Sequence, residues 1–403
     1  MTSLRVWGGE HRAGLLEREP SQDYIFAYGQ DAPPGAQVSL TMPVRLKSWQ
    51  SRELHPIFQM NLPEGALLET IRRAIAKVIG EDDLAVLRVT GGNQVGRNRF
   101  SPPDDGLTSM PDSPVMPNTA EELESLLTYP DTRELFHELV QRFALRSGIS
   151  GVQPKVMLAA HERGTLAAQQ YIVKSWGTDF PQLAANEFFC MTAVKRAGVP
   201  VPDFFLSENG GLFIMRRFDI DAENAPLGFE DLCSLQGLGS AQKYHGSYER
   251  VARTLQDFIT PGHLPVAREQ FFTMLIFSVL LRNGDAHLKN FGVLYPDLHG
   301  PVTLAPAYDQ VTTTVYLQHD VPALTLSGTK KWWSRQMLTH FAVTRLALPV
   351  GMVHTIIERA IDAVSDTRHL LTTYQADHPE FRPVGEKMRS AWEKGLARII
   401  HET

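Results

Sequence analysis

Short alternating runs open this chain and long helical runs close it. Residues 4–7 and 24–28 are strand-like, and residues 37–43 (QVSLTMP) alternate apolar and polar positions as a half-buried strand does. Residues 67–79 (LLETIRRAIAKVI) place apolar side chains at helical spacing, with basic residues on the opposite face and Gly80 as a C-cap. From 101 to 118 the pattern lapses: SPPDDGLTSMPDSPVMPN carries five prolines and little to bury, which predicts a linker or mobile excursion. Helical periodicity returns over 120–127 and 132–144. Next come two strands, 155–160 and 171–174, bracketing a turn at Glu162-Arg163-Gly164. A helix over 183–197 ends at Gly198 and Pro200, and 211–217 reads as a strand. The rest is mainly helical, broken by a loop around Asp285 and a strand pair near Val293 and Val302.

These elements predict an α+β chain: a small N-terminal α+β module over 1–105, a Pro-rich linker and helical lead-in over 106–134, and a two-lobed domain over 135–403. In that domain the strands come early (135–217) and the helices late (218–403), so the C-terminal lobe is mainly helical. The length, 403 residues, allows two or three domains, and 43% apolar with 21% charged residues excludes a mostly disordered chain. A net charge of −6 argues against a surface built as a whole to hold nucleic acid. Cys190 and Cys233 supply no disulfide framework and read as small buried hydrophobes in a reducing compartment. The longest apolar run, 271–281, is shorter than the roughly 20 residues of a bilayer helix, and the N-terminus shows no secretory signal. The expectation is a cytoplasmic protein with no membrane partner.

The chemistry concentrates in NGDAHLKNFG (283–292), directly after the apolar helix. Asp285 and Asn290 stand five residues apart, the spacing of a phosphoryl-transfer loop in which an Asp orients the acceptor hydroxyl and an Asn gives Mg²⁺ a neutral oxygen. His287 and Lys289 add donors. Alone, the spacing equally describes a helix end with an Asn-Gly turn. Asp309, in LAPAYDQVTT, adds a carboxylate nineteen residues on, giving hard oxygen ligands suited to Mg²⁺ held jointly with phosphates. SGISGVQPK (147–155) brings backbone N–H groups near phosphates through Gly148 and Gly151, although it is neither G-x-G-x-x-G nor a Walker loop. Lys174 ends the strand YIVK, placed to reach the α and β phosphates, and Glu187 on the next helix is its candidate ion-pair partner. Phosphate loop, strand Lys, helix Glu, Asp-x₄-Asn and Asp in that order are far more specific than any one of them.

In that combination the chain resembles the HipA-type serine/threonine kinases, toxins of bacterial toxin–antitoxin modules. The resemblance rests on SGVQPK (150–155), YIVK (171–174), ANEFFCMTAVKRAGVPVP (185–202), FIMRRFD (213–219), NGDAHLKNFG and LAPAYDQVTT. SLTMPVR (39–45) and FQMNLPEG (58–65) extend it to the family's N-terminal module. It implies ATP and Mg²⁺ as cofactors, Asp285 as the catalytic Asp, Asn290 and Asp309 as metal ligands and Lys174 as the ATP-contacting lysine. Ser150, Gly151, Val152, Gln153 and Lys155 would line the phosphate loop, with His287 and Lys289 beside the nucleotide and Glu187 in support. The strand after Phe213 would be a hinge reading adenine through the backbone of Met215, Arg217 and Phe218.

The resemblance also implies a protein target phosphorylated on serine or threonine, such as an aminoacyl-tRNA synthetase, with arrest of translation. A helix-turn-helix antitoxin of HipB type would attach the complex to operator DNA. Autophosphorylation of a loop serine would silence the kinase. The position of the family's archetypal regulatory serine is Gly148 here, so Ser147 and Ser150 are the candidates, and Ser150 is preferred because relatives carry a serine there. The hinge departs from E-R-F-D-R in having Arg216 for the acid and Ile220 for the final Arg. Two rivals stand beside this reading: a small-molecule kinase of similar fold, against which Asn283 counts where such enzymes carry His, and a silent antitoxin-binding corepressor. The basic-aromatic cluster Lys330, Lys331, Trp332, Trp333 and Arg335 reads as a helical-lobe packing site with solvated lysines, or as a contact for nucleic acid or an acidic partner.

Overall fold

Valine, leucine and aromatic residues at alternate positions draw the N-terminal segments into strands, and the pairing follows the chain closely. In the computed structural model, which describes residues 3–19, 21, 23–76, 80, 82–103, 121–163 and 168–401, five antiparallel strands form one sheet. Their order is Trp49–Ser51, Tyr24–Tyr28, His11–Arg18, Ser3–Gly8, Asn98–Ser101. One face buries Leu4, Val6 and Phe26, and Phe58 packs edge-on between Phe26 and Phe100 at 5.2 and 5.7 Å. Helices Gly65–Ile75 and Asp83–Thr90 follow, the second capped by the Asp82 side chain accepting from the Ala85 N–H at 2.8 Å.

The chain divides into two compact units, the first comprising Met1–Ser175, Ile214–Ser240 and Val293–Pro301 and the second Trp176–Phe213, Ala241–Gly292 and Val302–Thr403. Within the first unit, Lys155–His161 and Ala168–Lys174 form an antiparallel hairpin with Glu121–Glu122 parallel on its outer side. Helix Thr132–Phe143 is amphipathic and starts at Asp131, whose carboxylate accepts from the N–H groups of Arg133 and Glu134. The second unit is helical: Leu183–Arg196, Tyr248–Phe258, Leu264–Leu280, Arg335–Arg345, Val350–Asp377 and Arg382–Ile400. Residues 271–280 of Leu264–Leu280 are buried without exception, so this helix is enclosed on all sides. Trp392 donates to Thr312 at 2.7 Å, and Thr312 N–H in turn donates to Asn186 on helix Leu183–Arg196 at 2.8 Å.

The architecture is α+β, as expected. One strand assignment fails. Residues 37–43 form no ladder: a 3₁₀ turn at Pro34–Ala36 leads into a loop whose only pairing there is the Ser39–Met42 bridge. The alternation is satisfied instead by burying Val38, Ser39 and Met42, with Ser39 and Leu40 hydrogen-bonded to Glu230. The helix expected over 67–79 starts earlier, at Gly65, and is described to Ile75; 77–79 lie outside the described residues. The segment 120–127 starts as a two-residue strand and becomes helix Leu123–Thr128. The Pro-rich stretch from 104 on and the hairpin tip at Gly164 also lie outside the described residues. Cys190 and Cys233 are buried thiols, and Trp333 is buried in the helical unit. No helix among the described residues is long and apolar enough to cross a membrane.

Candidate active site

The buried helix Leu264–Leu280 acts as a rigid support, and the loop at its end is fixed bond by bond. Arg282 turns the chain in the left-handed region, with φ 56°. Asn283, buried, then accepts the Asp285 N–H on its side-chain oxygen at 3.0 Å. The Gly284 N–H donates to the Thr313 hydroxyl at 2.8 Å, and that hydroxyl donates to the Asp320 carboxylate. The Asp285 carboxylate accepts from the Tyr244 hydroxyl at 2.7 Å. Burial pushes the Asp285 pKa up. The Tyr244 hydrogen bond and Lys243 pull it down, while Asp309 and Asp320 push it up further.

Five residues on, the side-chain oxygen of Asn290 accepts the His287 N–H at 3.2 Å, so the Asp-x₄-Asn loop closes on itself. The His287 ring is driven down to about 3 by burial first and Lys243 next, which leaves it neutral near pH 7. The Lys243 carbonyl also anchors the loop by accepting the Leu288 N–H at 3.1 Å, a backbone bond that ties the two segments whatever side chains they carry. The Tyr308 hydroxyl donates to the Lys289 carbonyl at 2.8 Å. Asp309 sits at φ 53°, a conformation uncommon outside glycine and best tolerated by Asn and Asp.

In the first unit the segment 147–155 is also tightly held, by different means. The Gly148 N–H donates to the Asn93 carbonyl at 2.9 Å, and the Val95 N–H to the Gly148 carbonyl at 3.3 Å. A Cβ at Gly148 would stand 2.5 Å from Gln94 and 2.9 Å from the Asn93 carbonyl, so this position has no room for a serine. Ser147 is fully buried: its hydroxyl donates to the Phe143 carbonyl and accepts the Met157 N–H. Ser150 is half-buried and donates to Glu64 at 2.5 Å. Of the two loop serines, Ser150 is therefore the accessible one. Lys155 donates to the Ser150 carbonyl at 3.1 Å, Gly151 packs beside the Lys155 amine, and Val152 is 60% exposed. The side chain of Gln153 donates to the Ser175 carbonyl at 3.2 Å, next to Lys174.

The hairpin register sets Lys155 directly opposite Lys174, and both are buried. Like charges opposite one another on adjacent strands destabilise a sheet unless counter-charge meets them. Arg217 is different. Its guanidinium is buried and makes five hydrogen bonds, to Asp219 (two), Asn93, Gln170 and the Gln94 carbonyl. Its side chain is thus a structural tie, and its backbone N–H is also engaged, donating to the Gln170 carbonyl at 2.8 Å. Met215 is buried and Phe218 is half-buried, edge-on to Phe229. Glu187 is buried on its helix in the second unit. Sequence reasoning missed Tyr244, Lys243 and Asp320, because each reaches its loop from a segment carrying no recognisable spacing; Glu64 lies in the FQMNLPEG motif, which gave it no role at the phosphate loop.

The donor chemistry fits a nucleotide with Mg²⁺. Asp309 and Asp320 each raise the cost of ionising Asp285, a mutual repulsion that a divalent cation relieves. Among the described residues no group of three or more His, Cys, Asp or Glu stands ready to hold a metal. Mg²⁺ suits such a site, since it takes one or two carboxylates and shares the rest with phosphates and water. Within the first unit, the facing lysines Lys155 and Lys174 carry the charge that phosphate oxygens call for.

Comparisons with known proteins bear on the family and the fold. The sequence pattern of the "HipA-like C-terminal domain" matches residues 147–368, more than half of the chain, and that of the "HipA N-terminal domain" matches 4–101. A candidate kinase of Sinorhizobium fredii, Y4dM, is 32% identical over 225 residues, covering 49% of this chain and 54% of the relative; the match thus spans about half of that protein's length. The serine/threonine-protein kinase toxin HipA of Shewanella oneidensis is 26% identical over 342 residues, 78% of this chain and 76% of that one. Among solved structures, the complex of HipA, HipB and operator DNA from Shewanella oneidensis MR-1 contains a chain similar in fold, with a TM-score of 0.67 and 19% identity over 98% of this chain and 97% of that one.

Proposed function

The chain belongs to the HipA family, and on that premise we propose that it is an ATP- and Mg²⁺-dependent kinase that phosphorylates serine or threonine on a protein target. The observation that carries the reading is Asp285, whose N–H is held by Asn283 and whose carboxylate accepts from Tyr244, at the end of a buried helix and closed into one loop with Asn290. Asp285 orients the acceptor hydroxyl and receives its proton as that oxygen bonds to the γ-phosphorus and the bond to ADP breaks. Asn290 and Asp309 supply the oxygen ligands for Mg²⁺, which when bound neutralises phosphate charge. In the first unit Lys155, Lys174 and the backbone of 150–153 bind phosphate oxygens, and the backbone of 215–218 reads adenine. The gain in rate comes from positioning and charge complementarity.

In this reading the protein is a growth-inhibiting toxin of the cytoplasm, its target a translation component such as an aminoacyl-tRNA synthetase. A helix-turn-helix antitoxin of HipB type restrains it and carries it to operator DNA; the Shewanella relative's complex with HipB and operator DNA supports this assignment. Ser150 is the autophosphorylation site. A phosphate there brings nearly two negative charges against Glu64 and into the place of the ATP phosphates, which silences the enzyme.

The test is phosphopeptide mass spectrometry on bacterial lysate incubated with purified protein and Mg·ATP, beside the Asp285→Asn variant. A phosphoserine or phosphothreonine on another protein, present only with the wild type, is the expected result. Phosphate on no protein, with ATP binding intact, would overturn it.

A further inference from the structure

The NLPEG segment of the N-terminal module enters none of the roles above, yet it lies against the phosphate loop. Glu64 occupies the N-cap position of helix Gly65–Ile75, but its side chain makes no capping bond there. It instead accepts the Ser150 hydroxyl at 2.5 Å, 86 residues along the chain. Gly65, at φ 56°, has a Cβ position only 2.9 Å from the Val152 carbonyl and 3.3 Å from the Val152 Cα, so the helix start presses on the loop backbone. A second grip closes the other side. Asn93 and Val95 pair with Gly148 through the backbone, and the Asn93 side chain donates to the Arg146 carbonyl at 2.9 Å. All these residues belong to one compact unit.

Resting on the reading of 147–155 as a phosphate loop, we infer that the N-terminal module is a working part of the nucleotide site, with Glu64 the positioning residue that fixes the loop through Ser150. A loop of small residues that must present several N–H groups to phosphates gains affinity when its conformation is set beforehand. The bond from Ser150 is charge-assisted, the stronger class, and it fixes the loop between Gly148 and Lys155. The carboxylate acts through the loop and touches no reacting atom.

The experiment measures Mg·ATP affinity at equilibrium in the whole chain carrying Asp285→Asn, where no transfer can alter Ser150. Adding Glu64→Ala should weaken ATP binding about tenfold, as expected for one lost charge-assisted bond. Glu64→Gln, which still accepts from the hydroxyl, should stay within about threefold. Ser150→Ala should match Glu64→Ala, and the double substitution should be no worse than either alone. Thermal melting of each variant is read alongside; if Glu64→Ala lowers folding, Ser150→Ala decides. Lys174→Met serves as the control for the site itself. If it leaves ATP binding unchanged, the nucleotide reading fails. If it weakens binding while Glu64→Ala and Ser150→Ala do not, the inference about Glu64 is overturned and the nucleotide reading stands. Tighter binding in both Glu64 variants would also overturn it, since charge repulsion would then outweigh positioning.

Discussion

The phosphate loop and the Asp285 loop are about the same length and are held in different ways. Residues 283–292 combine bonds made within the loop, Asn283 to Asp285 and Asn290 to His287, at the end of one buried helix, with ties to Lys243, Tyr244, Tyr308 and Thr313. Residues 147–155 are fixed from far along the chain, by Glu64, Asn93, Gln94 and Val95. A loop braced in part from within keeps more of its shape when distant segments move, as chemistry at a single carboxylate requires. A remotely braced loop depends on another module and is the natural point of control.

The comparison breaks first at the metal ligands. Asp309→Asn suits the positive φ and should leave the fold intact while lowering kcat by roughly a thousandfold. Steady-state kinetics with Mg·ATP checks this; a loss below about tenfold would remove Asp309 from the metal site. Next in size is the long-range bracing. Arg217→Met leaves Asp219 buried without its guanidinium partner and should cost about 3 kcal/mol in denaturant unfolding. A cost near zero would show that the tie between 93–94 and 217–219 is not what secures the module.

A smaller effect sharpens the picture of the Asp285 loop. Tyr244→Phe removes a hydrogen bond that lowers the Asp285 pKa, so that pKa should rise and the acid limb of the kcat–pH profile should move to higher pH. We expect kcat at neutral pH to fall by about fivefold with the KM for ATP unchanged; an unmoved acid limb would contradict the role. A separate, pH-dependent effect concerns Glu230, which is buried and accepts from Ser39, Leu40 and Tyr295. Burial pushes its pKa up to about 7, against the lowering by those hydrogen bonds. A raised carboxyl contributes stability that is fully present below its unfolded value and lost as pH rises through 7. Between about pH 5 and 8 the wild type should therefore lose on the order of 2 kcal/mol more than Glu230→Gln in urea unfolding. Equal losses would refute it.

Much of the second unit is legible in the sequence because its signals are local. The apolar run at 271–281 is a buried helix, and NGDAHLKNFG closes through bonds two and three residues apart. The hairpin ending in YIVK is also readable, since strand alternation and turn lie side by side. What escapes is whatever depends on distant partners. Residues 37–43 alternate like a strand, yet Ser39 and Leu40 turn to Glu230, some 190 residues on, and tertiary contact overrides the local pattern. The strand His11–Arg18 escapes a reading by pattern although it pairs on both edges, because its weak alternation is rescued by those neighbours. Glu64 and Tyr244 likewise act across the chain; the FQMNLPEG motif marks Glu64 without announcing its partner, and nothing marks Tyr244. Arg217 reads in the sequence as a hinge residue beside the nucleotide; the five hydrogen bonds of its side chain, four of them to distant or neighbouring side chains, emerge only in the folded unit.

The most direct measurement pairs one change in each loop, Asp285→Asn and Gly148→Ser, and determines kcat together with ATP affinity for both. The account predicts that Asp285→Asn abolishes turnover and keeps ATP affinity within about threefold. It predicts that Gly148→Ser, which crowds Gln94 and the Asn93 carbonyl, weakens ATP binding about tenfold or more and retains measurable turnover at saturating ATP. Turnover that survives Asp285→Asn, or ATP binding untouched by Gly148→Ser, would contradict it.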